Sequence, residues 1–289
     1  MVEKSAGDGV ASQSGVERVG VIGLGIIGSV WAANYAADGL LAASWNRSPK
    51  PAVPKAVDGA AAVARASTVV HVVVSDPAAV EQVLSAIEPV LGREHLVIQS
   101  TTIDPVSAER FSARVKGRGA AYVEAPFMGS RTAAEQRKTV FLEGGEASQV
   151  ARADAVLAHL SSARRAVGSE AQAAALKLSF NVHVAITMGG ICEGLNFARQ
   201  AGLKDDDFFQ VLSATALWSS FHAMKEPKLR TGDFEPQFSI KHMLKDVRLA
   251  SELAKAGTLP LGNAVRQQLA RAAEAGLSEE DMASLIKVL

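Results

Sequence analysis

Lys177 and Asn181 stand four residues apart in the run Leu176-Lys177-Leu178-Ser179-Phe180-Asn181. On a helix that spacing puts both side chains on one face. Leu176, Leu178 and Phe180 give the lysine apolar neighbours, poor company for a merely solvated ammonium. A lysine ammonium beside a reacting carbonyl can stabilise the developing alkoxide and donate the proton that completes a reduction. An asparagine amide one turn away can hold the lysine or the substrate oxygen. Taken alone, the pair is also an ordinary helix-surface pattern, so its meaning depends on the rest of the chain.

Reduction needs a hydride donor, and the N-terminal part offers a place for one. Gly23-Leu24-Gly25-Ile26-Ile27-Gly28 follows the apolar run Val19–Ile22 and opens a helix-compatible stretch from Ser29 to Ala37. A strand, a tight glycine turn and a helix N-terminus together cradle a dinucleotide pyrophosphate. That context carries the reading more than the three glycines do. The next strand ends in Trp45-Asn46-Arg47-Ser48, with no acid to bond the ribose 2′-hydroxyl of NAD. Arg47 offers a charged donor fork for the 2′-phosphate of NADP(H), with Asn46 and Ser48 adding neutral hydrogen bonds. A solvated loop arginine is the competing reading; the place of Arg47 after the glycine turn favours NADP(H). Val74-Ser75 and Gln99-Ser100-Thr101-Thr102 each end an apolar strand and so face the ligand crevice. Hydroxyls there bond the ribose or nicotinamide amide, or cap the following helix.

These groups need a scaffold, and the first half alternates strand and helix signals. Strands are expected at Val19–Gly23, Leu41–Trp45, Val69–Val74, Leu96–Gln99, Ala121–Glu124 and Thr139–Glu143. Helices fall between them at Ile27–Asp38, Pro77–Val90 and from Asp104-Pro105 to about Lys116. The expectation is an α/β protein, a Rossmann-type doubly wound parallel sheet. After about Gly168 the strand signals stop. Helices are expected at Glu170–Ala201, Lys204–Thr215, Ile240–Ala256, Ala264–Ala275 and Glu279–Val288. The resulting organisation is a tail over residues 1–15, a cofactor domain over 16–168 and an all-α domain over 169–289, joined by one long helix.

The chain has 289 residues, with 30 basic and 30 acidic side chains, so no excess charge points to nucleic acid or an anionic membrane. A single cysteine, Cys192, excludes an internal disulfide and fits a reducing cytoplasm. No apolar run is expected to reach the roughly 20 residues of a membrane span, and Met1–Gly15 lacks the apolar core of a signal peptide. The six histidines show no metal-ligand spacing, so no metal is expected. Trp218, Phe221, His222 and Met224 can line a substrate pocket or belong to the core or a subunit interface.

Four motifs in order resemble the β-hydroxyacid dehydrogenase family: Gly23–Gly28, Glu124-Ala125-Pro126-Phe127-Met128-Gly129-Ser130, Gly168 with Lys177 and Asn181, and Lys245-Asp246-Val247-Arg248-Leu249-Ala250. That family includes 3-hydroxyisobutyrate dehydrogenases and is related to 6-phosphogluconate dehydrogenase. Trp45-Asn46-Arg47 looks like its NADP-using glyoxylate/succinic semialdehyde reductase branch. The resemblance implies that Lys177 is the general acid/base and that Asn181 orients it. It also implies that Thr101 contacts the nicotinamide side and that Lys245 reaches over the cofactor. A small carbonyl or hydroxy acid substrate would lie in a cleft between two domains, in a homodimer or homotetramer. Imine reductases share this architecture, and a non-catalytic NADP-binding scaffold is the rival from another class.

Two positions depart from the family pattern. Its substrate loop usually reads D-x-P-V-S-G-G, where serine and glycine amides hold a carboxylate. Here Phe127 and Met128 replace the valine and serine, while Gly129 and Ser130 remain. Either the substrate is bulkier and more apolar, or its carboxylate is held differently. Ala171 and Ala173 stand where glycine is common, and their methyls are expected to narrow the approach to the lysine.

Overall fold

Val19–Ile22 and Val69–Val72 bury every residue, as strands covered on both faces must. The computed structural model describes residues 17–50 and 52–289; the expected tail at 1–15 lies outside them. The strands are β1 (Val19–Ile22), β2 (Leu41–Trp45), β3 (Val69–Val72), β4 (Leu96–Gln99), β5 (Ala121–Glu124), β6 (Phe127–Met128), β7 (Thr139–Gly144) and β8 (Ser161–Gly168). Between them run α1 (Ile26–Ala37), α2 (Ala60–Ala66), α3 (Pro77–Ile87), α4 (Pro105–Lys116), α5 (Arg131–Glu135) and α6 (Ala147–Leu157). The helical half holds α7 (Glu170–Gln200), α8 (Asp205–Ser213), α9 (Ser220–Thr231), α10 (Ile240–Leu253) and α11 (Pro260–Ala272). A short 3-10 segment, Met282–Val288, closes the chain in place of the expected last helix.

The sheet order is β2-β1-β3-β4-β5-β7-β6, with β8 beside β7. The first five strands are parallel, as the alternating pattern requires. β7 runs antiparallel to both β5 and β6, and β8 parallel to β7. The sheet is therefore mixed at one edge, because the chain doubles back through the short β6. One apolar core lies on each face of the sheet, and a third fills the helical half.

Sequence logic shows in the caps. Asp76 accepts from the Ala79 amide at 2.8 Å and Asp104 from the Ser107 amide at 2.8 Å, each ahead of a proline in the first turn. Ser169 and Gln172 form a reciprocal capping box that starts α7. That helix packs on α4 and β7 at its start and on α10 and α11 farther along, so it spans both halves. By length and composition α7 is apolar enough to cross a membrane, with an 18-residue window of mean hydropathy 1.3. The expectation that no run reaches that level fails here. Half of the window is buried inside the fold, which accounts for its composition.

Candidate active site

The glycine turn is shaped by contact on two sides and open on the third. Gly23 has φ +101°, and a Cβ there would lie 2.1 Å from the Val73 carbonyl oxygen. A Cβ on Gly28 would lie 1.9 Å from the Gly23 carbonyl oxygen, so α1 can close on the turn only without one. A Cβ on Gly25 would meet nothing within 4 Å. Gly25 and Ile26 are exposed, and no side chain caps the first turn of α1. Its amides and positive dipole end therefore face open space, which fits a dinucleotide pyrophosphate. Leu24 and Gly28 are buried and Ile27 half-buried, so these three shape the turn.

Asn46 is already engaged. Its Oδ1 accepts from the Leu24 amide at 2.9 Å, and its Nδ2 donates to the Ser48 carbonyl at 2.7 Å. Asn46 thus ties the end of β2 to the glycine turn. Arg47 and Ser48 are exposed beside it, and Arg47 forms no ion pair among the described residues. The Ser75 hydroxyl donates to Asp76 at 2.6 Å, next to Val74.

A buried hydrogen-bonded chain crosses the carboxyl ends of the central strands. Thr101, 2% exposed, accepts from the Val74 amide through Oγ1 at 2.9 Å. Its own amide donates to Gln99 Oε1 at 2.6 Å, and Gln99 Nε2 donates to Glu124 Oε1 at 2.9 Å. The Tyr122 hydroxyl donates to Glu124 Oε2 at 2.7 Å. Burial pushes the Glu124 pKa up to about 8, against the pull of these two donors. Sequence reasoning assigned nothing to Gln99 or Glu124, though both close apolar strands on the crevice side.

Lys177 and Asn181 are buried two turns into α7. The Lys177 ammonium lies over the Phe127 ring, 5.6 Å from its centroid, and makes no hydrogen bond to a described residue. Burial pushes its pKa down to about 8, with Asp246 opposing and Lys245 adding to the fall. Asn181 makes no hydrogen bond to the lysine, one of the two roles its spacing suggested; its Nδ2 donates to Asp246 Oδ2 at 2.5 Å. Lys245 donates to the Thr102 carbonyl at 2.7 Å. Its ammonium also lies 2.7 Å from Asp246 Oδ1, out of line for a hydrogen bond. Thr102 therefore serves through its carbonyl, while Asp104 caps the next helix. Asp246, 1% exposed, joins α7 to α10, and Lys245 joins α10 to the end of β4. Asp246 stood in the fourth motif without a role; its neighbour Lys245 was the signal that could have found it.

Phe127 packs edge-on to Trp31, 4.8 Å between centroids, and Met128 pairs with Val140. Gly129 has φ +141°, and Ser130 opens α5 without bonding it through its hydroxyl. Trp218 sits at the rim of the helical core, its ring 5.6 Å from His222, with no ring or hydrogen-bond contact to Lys177 or Phe127. Ala173 is fully buried, and a Cβ on Gly144 would lie 2.9 Å from its methyl. The methyl of Ala173 thus lies in the seam between α7 and β7. His71 is a satisfied core histidine between Tyr35 and Ser100, its pKa pushed down to about 3 by burial. Among the described residues no three His, Cys, Asp or Glu side chains converge on a metal-sized site.

Residues 18–170 match the model for the NAD binding domain of 6-phosphogluconate dehydrogenase. Residues 171–289 match that described as NAD-binding of NADP-dependent 3-hydroxyisobutyrate dehydrogenase. The chain is 27% identical to glyoxylate/succinic semialdehyde reductase 2 of Arabidopsis thaliana, over 95% of this chain and 80% of that one. It is 25% identical to reductase 1 of the same plant, over 94% and 98%. A 3-hydroxyisobutyrate dehydrogenase structure from Salmonella typhimurium shares the fold at TM-score 0.85 and 22% identity, covering 94% of this chain and 100% of that one. An imine reductase from Myxococcus stipitatus aligns at TM-score 0.64 and 20% identity, covering 94% and 99%. With the glycine cradle, the buried lysine and both family models in register, the chain belongs to the 3-hydroxyisobutyrate dehydrogenase family of NAD(P)-dependent dehydrogenases and reductases.

Proposed function

We propose that this protein is an NADPH-dependent reductase of a small aldehyde or keto acid, reversible with the matching alcohol or hydroxy acid. The observation that carries the reading is the Lys177 ammonium, buried, unpaired among the described residues and turned over Phe127. Bound NADPH supplies the hydride. Lys177 holds a proton for the carbonyl oxygen and, as a neutral amine, takes it back in the reverse direction. Asp246 sets the charge beside Lys177, and Asn181 fixes the Asp246 carboxylate. Exposed Arg47 at the end of β2 supports NADPH over NADH. Residues 16–168 act as the cofactor side and 169–289 as the substrate and subunit side. A homodimer or homotetramer in the cytoplasm completes the reading, supported by the exposed Leu176, Phe180 and Phe197 on α7.

The test follows NADPH and NADH oxidation against aldehydes, keto acids and cyclic imines. Carbonyl turnover with NADPH is the expected result; turnover of imines alone refutes the assignment. In Lys177→Ala, NADPH binding is kept while carbonyl reduction falls by roughly 10²–10⁴, the scale of general acid catalysis. Unchanged turnover in that variant removes Lys177 from the chemistry.

A further inference from the structure

The Lys177 ammonium is buried on α7 and has neither a hydrogen bond nor an ion pair among the described residues. Two charged side chains of α10 bear on it in opposite directions, Asp246 and Lys245. Both are engaged elsewhere, Asp246 with Asn181 and Lys245 with the Thr102 carbonyl at 2.7 Å. Carboxylates on the other elements around α7 have partners of their own. Glu170 at its start pairs with Lys116 of α4 at 2.8 Å, and Glu124 at the end of β5 accepts from Tyr122 and Gln99. Glu143 of β7 feels Asp154 and Arg164. What meets the ammonium is a ring: Phe127 of β6, with the nitrogen over it at 5.6 Å from the centroid. At that distance a ring face attracts a cation through its quadrupole.

That ring is fixed from behind. Phe127 is half-buried, and it packs on two fully buried rings, Trp31 of α1 at 4.8 Å and 69° and Phe141 of β7 at 6.3 Å and 55°. Phe127 also lies opposite Phe141 in the β6–β7 pairing. Trp31 in turn stacks on His71 of β3 at 4.9 Å and 21°, and His71 is bonded at both ring nitrogens, to Tyr35 and Ser100. An aromatic column thus runs from the core of the sheet to the ammonium. The valine usual at this place in the resembled loop has no π face to offer. A ring attracts the charge without a carboxylate's lone pairs, so no competing oxygen takes the N–H groups.

We infer that Phe127, backed by Trp31 and Phe141, is a positioning residue that holds the Lys177 ammonium by its ring face, in place of the hydrogen-bond acceptor this lysine lacks. Its part in catalysis rests on the reductase reading above, whereas the contact itself does not. The ring favours the charged form, as Asp246 does, and so opposes burial and Lys245. Weakening the π face therefore lowers the pH at which the lysine loses its proton.

The test replaces Phe127 by 4-fluoro-, 3,5-difluoro- and 3,4,5-trifluorophenylalanine, which keep the ring and its packing while draining its face of charge. Lys177 is titrated in the protein without substrate by the NMR shift of its ¹³C-labelled ε-carbon, assigned by its loss in Lys177→Met. The same proteins are assayed for NADPH-dependent carbonyl reduction across pH. The midpoint is expected to fall stepwise with each fluorine, within the roughly 0.4–1.5 units that a whole cation–π contact is worth. The limb of kcat/KM should fall with it, and Phe127→Leu should move both in the same direction. Trifluorophenylalanine at Phe141, which meets no cation, should leave both in place. A midpoint that ignores the fluorines, or moves as far when they are on Phe141, overturns the inference and leaves the reductase reading standing. A midpoint that follows the fluorines in a protein turning over no carbonyl supports the contact and overturns the reductase reading.

Discussion

Asp246→Asn removes the negative charge that favours the Lys177 ammonium while leaving an oxygen for Asn181 to bond. In the intact protein burial takes Lys177 from 10.5 to about 8, with Asp246 pulling up and Lys245 pushing down. That 2.5-unit difference is about 3 kcal/mol in favour of the neutral amine. With Lys177 as the proposed proton donor, reduction requires the ammonium, so its kcat/KM is expected to be flat below about pH 8 and to fall tenfold per unit above it. Oxidation requires the amine, so its rate rises with pH to the same point and then levels. In Asp246→Asn both remaining influences lower the pKa. A nearby opposite charge is worth roughly one to three units. The reductive limb therefore moves to lower pH by roughly a unit or more, and reduction at pH 8 falls by about tenfold while oxidation is retained. The assay is kcat/KM with NADPH and NADP⁺ across pH 5.5 to 10, on variant protein whose circular dichroism matches the parent. A limb that stays in place, or moves upward, refutes the assignment of that pKa to Lys177.

Three further outcomes follow from local geometry. Gly25→Ala adds a methyl into open space, so the melting temperature holds while NADPH affinity falls; Gly28→Ala forces a Cβ to within 1.9 Å of the Gly23 carbonyl and lowers the melting temperature itself. Equal melting losses in the two variants would contradict the cradle. Arg47→Asp is expected to shift the kcat/KM preference from NADPH towards NADH, and a ratio that does not move removes Arg47 from the 2′-phosphate. Glu124 has a folded pKa raised from 4.5 to about 8, so the native state holds its proton more tightly than the unfolded chain. Stability from this group is therefore present at low pH and lost as pH rises between those values, by roughly 5 kcal/mol in all. Glu124→Gln should flatten that slope in urea midpoints taken from pH 5 to 8.5, and a parallel slope in both proteins refutes it.

What the sequence reveals about this molecule depends on whether an interaction is local. The glycine turn and the Lys177–Asn181 spacing are local, since a turn and one helical repeat fix their geometry. The missed elements are those whose local pattern is weak. β8 reads Ser-Ser-Ala-Arg-Arg-Ala-Val-Gly and has no buried residue, because it borders only β7 and needs no apolar run. α9 carries Pro227 inside it and buries only Lys225 and Leu229, so it shows little apolar stripe. The direction of β7 is invisible to periodicity, because a buried strand has the same composition whichever way it runs. The Asn181–Asp246 bond joins residues 65 apart, and the Lys245–Thr102 bond joins residues 143 apart. Each exists only because α10 crosses α7 above the end of β4. The chemistry of the site follows the same division. Residue type makes Lys177 a possible acid, but only the tertiary environment lowers its pKa towards neutrality and engages the neighbouring lysine elsewhere.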